Sequence, residues 1–125
     1  MSAARASDRP EQLGVAGLRH ALSAGQLSSV ELTKHLLARI TAHHGLGAFL
    51  HVDAERALED AARADQRRAA GDQSPLLGVP IGHKDVFVTA DAPTTAGSRM
   101  LTGYRSPFDA TVVARLGAGQ PGGAP

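Results

Sequence analysis

Three patterns in the sequence predict an α/β fold in which helices precede the first strands. Apolar residues recur at helical spacing through most of residues 11–70. Two short apolar runs, 48–52 and 79–88, are typical of buried strands. A polar segment over 89–98 follows the second run, and α/β proteins place active-site loops beyond the ends of strands. We therefore expect functional residues near the end of the second strand.

Two helices are predicted in the first part of the chain. The first covers residues 11–24, where leucines and alanines repeat at helical spacing, and Gly25 closes it. Ser28 and Glu31 have the spacing of a capping box, in which each side chain bonds the backbone N–H of the other residue. This pattern predicts a second helix that begins at Ser28 and ends near residues 43–45.

Two further helices are predicted from acidic caps. Asp53 precedes an alanine-rich stripe, which predicts a third helix that extends to about Ala70. Asp109 has the position of an N-cap for a last helix over residues 110–116. The first ten residues are small and polar, so we expect residues 1–10 to be disordered.

Length and composition restrict the class of protein. A chain of 125 residues forms at most one modest domain or a part of a larger one. The absence of cysteine removes disulfides, thiolate catalysis and cysteine metal sites, and a net charge of +1 gives no general field for nucleic acid or membrane surfaces. No apolar run approaches the ~20 residues that span a bilayer, and the N-terminus lacks the apolar core of a secretory signal. We expect a cytoplasmic protein.

Lys84 is the candidate catalytic residue. It ends the apolar run 79–88 and, in an extended chain, shares a face with the small residues Pro80 and Gly82. A lysine in such apolar surroundings is a candidate for a depressed pKa and for a base at neutral pH. The chain has only two lysines among its 13 basic residues, and guanidinium groups cannot serve as that base. The alternative interpretation is that the strand simply emerges into solvent at Lys84.

No other residue pattern predicts a catalytic or metal site. None of the histidines has the helical pairing with an intervening Glu that marks a zinc site, so we predict no metal ligands. His83 points to the strand face opposite Lys84. A pairing of Lys84 with serine is the remaining catalytic arrangement, and Ser98 is the nearest serine in a predicted loop, although its spacing does not mark it as a nucleophile.

Three sequence blocks resemble the amidase signature family in the correct order. They are 76–85, which is similar to the lysine motif of the family, 94–101 and 106–116. Residues 28–32 also resemble the N-terminal region of the family, so the similarity covers roughly 11–118. The resemblance implies the N-terminal part of an α/β/α amidase-signature domain, in which helices are followed by the first strands of a mixed sheet.

Within this family, the residues around Lys84 and Asp109 are most similar to the A subunits of bacterial glutamyl-tRNA(Gln)/aspartyl-tRNA(Asn) amidotransferases. The resemblance implies a glutaminase subunit that supplies ammonia from glutamine for ATP-dependent conversion of aminoacyl-tRNA. It also implies partner subunits B and C, with ATP and Mg²⁺ bound through a partner and no cofactor in this chain. A further alternative within the family is an amidase that hydrolyses another small amide.

The resemblance implies that Lys84 belongs to a Ser–cis-Ser–Lys triad and acts as general base through the bridging serine. The family has both serines downstream, in a Gly/Ser-rich region. Residues 119–125 depart from the family pattern with prolines and glycines that cannot continue a helix, and we expect a frameshift or a premature stop there. We therefore expect this chain to be inactive by itself. A non-catalytic fragment or subunit-interaction module is the alternative from a different class.

Overall fold

Four α-helices form within residues 9–117, the part of the chain that the computed structural model describes. They are α1 (Gly14–Ser23), α2 (Ser29–Ala42), α3 (Ala54–Ala69) and α4 (Thr111–Gly117). Of three short 3₁₀ helices, Pro10–Gln12 precedes α1, His44–Leu46 lies between α2 and α3, and Arg99–Leu101 lies between α3 and α4. The predicted irregular segment 119–125 and all but the last two residues of the predicted disordered segment 1–10 lie outside the described residues.

The predicted start of α2 is confirmed by its hydrogen bonds. The Ser28 hydroxyl accepts a hydrogen bond from the Glu31 N–H at 3.0 Å, and the Glu31 carboxylate accepts one from the Ser28 N–H at 2.9 Å. These bonds lower the pKa of Glu31, chiefly because the Ser28 N–H stabilises its charged form. α2 ends at Ala42, one residue before the predicted range 43–45. The capping box therefore fixes where this helix begins.

The predicted cap of α3 is also confirmed. The Asp53 carboxylate accepts a hydrogen bond from the Arg56 N–H at 3.0 Å, and α3 ends one residue before Ala70. α1 lies within the predicted range 11–24, after a 3₁₀ turn. α4 begins at Thr111, while the Asp109 carboxylate accepts a hydrogen bond from the Ala90 N–H at 2.7 Å.

The described residues divide into two units. Unit 1 contains residues 9–43 and 53–80, and unit 2 contains residues 44–52 and 81–117. Unit 1 therefore holds α1, α2 and α3, and unit 2 holds α4 and the segment around Lys84.

Unit 1 is built around an apolar core. Leu22 and Leu32 are fully buried and meet the other members of the core, which are Ala21, Leu27 and Val79, with Leu13, Leu18 and Leu36 packed against them. Each fully buried leucine contributes roughly 1.5–3 kcal/mol relative to an exposed one. Val79 is part of this core. Its burial attaches the segment that follows α3 to the rest of unit 1.

A charged group also joins α2 to α3 in unit 1. The Asp65 carboxylate accepts hydrogen bonds from the Ser29 N–H at 2.8 Å and the Val30 N–H at 3.1 Å, at the N-terminus of α2. Arg68 bonds both this carboxylate and the Leu77 carbonyl. A negative charge at a helix N-terminus is favourable because it satisfies N–H groups that have no partner within the helix.

The strands predicted at 48–52 and 79–88 do not form. Within residues 9–117, β pairing is restricted to a single antiparallel bridge between Pro93 and Arg105. Pro80 and Gly82 interrupt the apolar run, and the backbone turns after Lys84 because the Phe87 N–H bonds its carbonyl. A strand also needs a neighbour that pairs with its backbone. The α/β description is therefore not confirmed in this part of the chain.

No helix in residues 9–117 has the length and apolar character required to cross a membrane.

Candidate active site

Lys84 lies at a turn in unit 2. Its carbonyl accepts a hydrogen bond from the Phe87 N–H at 3.0 Å, and its side chain is exposed. His83 and Ile81 are exposed beside it. Because the strand is not formed and the neighbouring apolar residues Ile81, Val86 and Phe87 are exposed, the apolar surroundings predicted for Lys84 are not provided by the described residues. An exposed turn leaves the ammonium group accessible.

Asp85 anchors this turn to a second segment of unit 2. Its Oδ1 accepts a hydrogen bond from the Thr95 N–H at 3.0 Å, and its Oδ2 accepts one from the Thr95 hydroxyl and a longer one from the Gly97 N–H, at 3.4 Å. The Asp85 carbonyl accepts a bond from the Ala96 N–H at 2.8 Å. Three successive N–H groups, those of residues 95–97, therefore converge on one residue.

These hydrogen bonds favour the charged form of the Asp85 carboxyl. The Thr95 hydroxyl, followed by the Thr95 N–H, holds the pKa of the Asp85 carboxyl below its ordinary value. The Gly97 N–H and the nearby His51 act in the same direction, while partial burial opposes them. Asp85 is therefore ionised at neutral pH and is a strong acceptor beside Lys84.

The segment bound by Asp85 has a constrained backbone. Ala96 has φ of +49° and Gly97 has φ of +70°, so two consecutive residues occupy the left-handed region. A non-glycine residue in this region is uncommon and costs about 1–2 kcal/mol. Thr94, on the other side of Thr95, is buried and donates its N–H to the Tyr104 carbonyl at 3.1 Å. The convergence on Asp85 compensates for the unfavourable backbone.

The third motif block, residues 106–116, is attached by hydrogen bonds to the segment that follows Lys84. Asp109 bonds the Ala90 N–H, and the Val88 carbonyl accepts a hydrogen bond from the Ala110 N–H at 2.8 Å. Ser106 is buried, and its hydroxyl donates to the Phe108 carbonyl at 2.6 Å. The segment after Lys84 and the two later motif blocks thus meet in unit 2 through side-chain and backbone hydrogen bonds.

The sequence identified Lys84 but not the residues that organise its surroundings. Asp85 and Asp109 were treated as a neighbour and a helix cap, whereas each carboxylate binds backbone from a distant segment. The available signal was the threonine-containing polar run after residue 88, which offers N–H and hydroxyl donors to a carboxylate. Ser98 has a local role, because its hydroxyl accepts a hydrogen bond from the Met100 N–H at 3.2 Å.

Within residues 9–117, His, Asp and Glu side chains do not gather in a group of three or more that could hold a metal ion. The described histidines include one with a firm partner: the His35 Nε2 lies 2.8 Å from the Glu11 carboxylate. That contact is in unit 1, and Arg39 lies 3.4 Å from the same carboxylate. These side chains form an ion-pair group on α2 and the 3₁₀ turn before α1.

Comparison with known proteins decides the family. The sequence profile of the amidase family matches residues 31–120, which include Lys84 and all of the segments bonded around it. The chain belongs to the amidase family. This confirms the resemblance based on the lysine motif and the two later blocks.

Individual amidase relatives extend this result. The chain is 60% identical over 97 residues to the A subunit of glutamyl-tRNA(Gln) amidotransferase from Ralstonia nicotianae and 57% identical over 101 residues to the protein of the same name from Cupriavidus necator. These matches cover 78% and 81% of this chain but 20% of each relative. The chain therefore spans about a fifth of the length of the curated relatives that it matches.

A solved structure supports the amidase fold. It is an inhibitor-bound vestigial protein complex, described as revealing the evolutionary origins of an s-triazine catabolic enzyme. It matches with a TM-score of 0.76 and 33% sequence identity, and the match covers 84% of this chain and 24% of the other. The fold of this chain is thus similar to that of one part of a longer chain.

Proposed function

We propose that this chain is the N-terminal part of the glutamine-hydrolysing A subunit of a tRNA-dependent amidotransferase. The observation that carries the proposal is the 60% identity over 97 residues to a protein named as that subunit. The accessible position of Lys84 and its attachment beside Asp85 support it further, because a base must reach its substrate from a defined backbone position.

In the proposed reaction, Lys84 is the general base. A neutral lysine amine takes the proton of a nucleophilic serine through a bridging serine, and the serine oxygen then attacks the amide carbon of glutamine. The carbon–nitrogen bond then breaks, and the proton returns to the nitrogen that leaves as ammonia. Water hydrolyses the resulting acyl-serine ester, which releases glutamate and restores the serine. The two serines are expected from a later segment of the family, so we propose that residues 1–125 alone do not hydrolyse glutamine.

The proposed complex requires further components. Subunits B and C would bind the A subunit, and ATP and Mg²⁺ would act through the tRNA-binding partner rather than through this chain. Ammonia from glutamine would then convert Glu-tRNA(Gln) or Asp-tRNA(Asn) to the amidated product in the cytoplasm.

A second candidate is a hydrolase that acts on another small amide without tRNA. It is favoured by the structural match to a complex related to an s-triazine catabolic enzyme, which is 33% identical to this chain. In that case the same lysine would serve as base, but glutamine would not be the preferred substrate. The two candidates therefore differ in substrate and share the proposed role of Lys84.

The test uses a full-length enzyme in which residues 1–117 replace the matched fifth of the Ralstonia nicotianae protein, coexpressed with the partners of that protein. Lys84→Ala should reduce the kcat for glutamine hydrolysis by about 10²–10⁴-fold, because the general base is lost. Lys34→Ala is the matched control, since Lys34 is the other lysine and is exposed on α2, and it should retain full activity.

Several results would contradict the proposal. Equal activities of the two lysine variants would exclude Lys84 as the base. Preference for a simple amide over glutamine would favour the second candidate. Glutamine hydrolysis by the purified 125-residue chain would show that the serines from a later segment are not required, and an inactive full-length enzyme that still binds the B and C subunits would favour a non-catalytic interaction module.

A further inference from the structure

Asp85 binds the 95–97 segment with more groups than a local turn requires. Its two carboxylate oxygens and its carbonyl together accept hydrogen bonds from the N–H groups of Thr95, Ala96 and Gly97, and from the Thr95 hydroxyl. Successive N–H groups in this conformation form a concave anion-binding arrangement, called a nest. Here the anion is a side chain of the same unit.

This arrangement fixes the backbone at Lys84 and immediately after it. On the C-terminal side, Asp85 is bonded to residues 95–97. The Lys84 carbonyl itself is bonded to the Phe87 N–H. Because the apolar side chains of Val86 and Phe87 are exposed, burial does little to hold this turn, and the polar contacts of Asp85 carry that task within unit 2.

The backbone of the nest indicates that its shape depends on the carboxylate. Ala96 is held at φ of +49°, where an alanine is disfavoured, and the residue after it is also left-handed. Without the Asp85 carboxylate, the Thr95 N–H and hydroxyl would lose their acceptor, and the Gly97 N–H would keep only its bond to the Thr95 hydroxyl. The strained conformation would then lose most of its compensation. The turn at Lys84 would then lose its attachment to this segment.

We propose that Asp85 is a positioning residue that acts through Lys84: its carboxylate, held in the nest of residues 95–97, sets the backbone from which the lysine amine reaches the reacting serine. This inference rests on the proposed function, because it assumes that Lys84 is the base. It adds to that function a role for the Asp85 carboxylate, which would act through Lys84 without touching the substrate.

The experiment uses the full-length enzyme described for Lys84. Asp85→Asn preserves the size of the side chain but removes its charge and one acceptor oxygen, and it should reduce kcat by roughly 10–100-fold with little change in KM. Asp72→Asn is the matched control. Asp72 also accepts bonds from a neighbouring N–H and hydroxyl, but it lies in unit 1, and its variant should retain kcat.

A double-mutant cycle separates positioning from general damage to the fold. If Asp85 acts through Lys84, then Asp85→Asn should have no further effect on the residual activity of Lys84→Ala. Thr95→Val removes the hydroxyl that donates to Asp85 and should lower kcat as Asp85→Asn does. Thr95→Ser keeps this hydroxyl and should retain the kcat of the unaltered enzyme. The Thr95 pair decides the question even if Asp85→Asn does not fold.

The outcomes distinguish this inference from the proposed function. A fully active Lys84→Ala variant would overturn both. A weakened Lys84→Ala variant together with a fully active Asp85→Asn variant would overturn the inference alone. An Asp85→Asn substitution that lowers the activity of Lys84→Ala further would also overturn it, because the damage would then be independent of the base.

Discussion

Unit 1 and unit 2 are held together by different interactions. All of the buried apolar side chains of the described residues lie in unit 1, which contains the three longer helices. In unit 2, Thr94 and Ser106 are buried, but most of the large apolar side chains are exposed. These exposed residues of unit 2 are Leu46, Phe49, Leu50, Val52, Ile81, Val86, Phe87, Met100, Leu101, Tyr104, Phe108 and Val112.

Of the two units, unit 1 has a hydrophobic core. Unit 2 depends on hydrogen bonds in which the Asp85 and Asp109 carboxylates accept from backbone N–H groups and the Ser106 hydroxyl donates to a backbone carbonyl. Such bonds contribute only about 0.5–1.5 kcal/mol each after the competition with water. An exposed apolar surface of this extent is typical of a face that another part of a protein covers. The match to a relative of which this chain covers 20% agrees with this interpretation.

The largest expected effect tests the core of unit 1. Leu32→Ala should destabilise the 125-residue chain by about 2–5 kcal/mol, because it removes a fully buried side chain and leaves a cavity. Urea unfolding followed by circular dichroism measures the change. Leu46→Ala in unit 2 is the matched control: its side chain is 78% exposed, so its substitution should change stability by less than about 0.5 kcal/mol. Equal losses would contradict the assignment of the core to unit 1.

A smaller effect compares two glycines with similar backbones. Gly78 in unit 1 has φ of +77°, and a Cβ there would overlap the Ser29 hydroxyl beside Arg68. Gly103 in unit 2 has φ of +80°, and a Cβ there would meet nothing within 4 Å. Gly103→Ala should cost about 1–2 kcal/mol from the left-handed backbone alone. Gly78→Ala should cost more, because overlap in a packed region adds about 1–3 kcal/mol.

Equilibrium unfolding of both glycine variants measures the difference. If Gly78→Ala were no more destabilising than Gly103→Ala, the close packing of the Gly78 backbone against α2 would be contradicted.

The smallest effect concerns acid stability. Hydrogen bonds from the Ser74 hydroxyl and N–H, with Arg67, lower the pKa of Asp72 to about 2 from its ordinary value of 3.8. The folded state therefore favours the carboxylate. Its stabilising contribution is present above pH ~4, declines as the pH falls from about 4 to 2, and is absent below that range. Melting temperatures across this range should fall less in Asp72→Asn than in the unaltered chain. An identical fall would contradict this role for Asp72.

The sequence was most informative where local chemistry decides the structure. The capping box at Ser28 and the cap at Asp53 predicted the starts of α2 and α3, because each depends on residues within one turn. The strands were not predictable, because an apolar run cannot show whether a partner pairs with it. Lys84 was predicted as a candidate base from its rarity and position, and that role stays a prediction. The bonds of Asp85 to residues 95–97 join segments ten or more residues apart, and the run after residue 88 offers donors without specifying which carboxylate binds them.

The exposed Tyr104 makes the two units separately visible by spectroscopy. The chain has one tyrosine and no tryptophan, so its ultraviolet-excited emission comes from unit 2. The helical signal at 222 nm comes mainly from α1, α2 and α3, which belong to unit 1. Two optical signals recorded on the same unlabelled sample therefore report whether the two units unfold together or in succession.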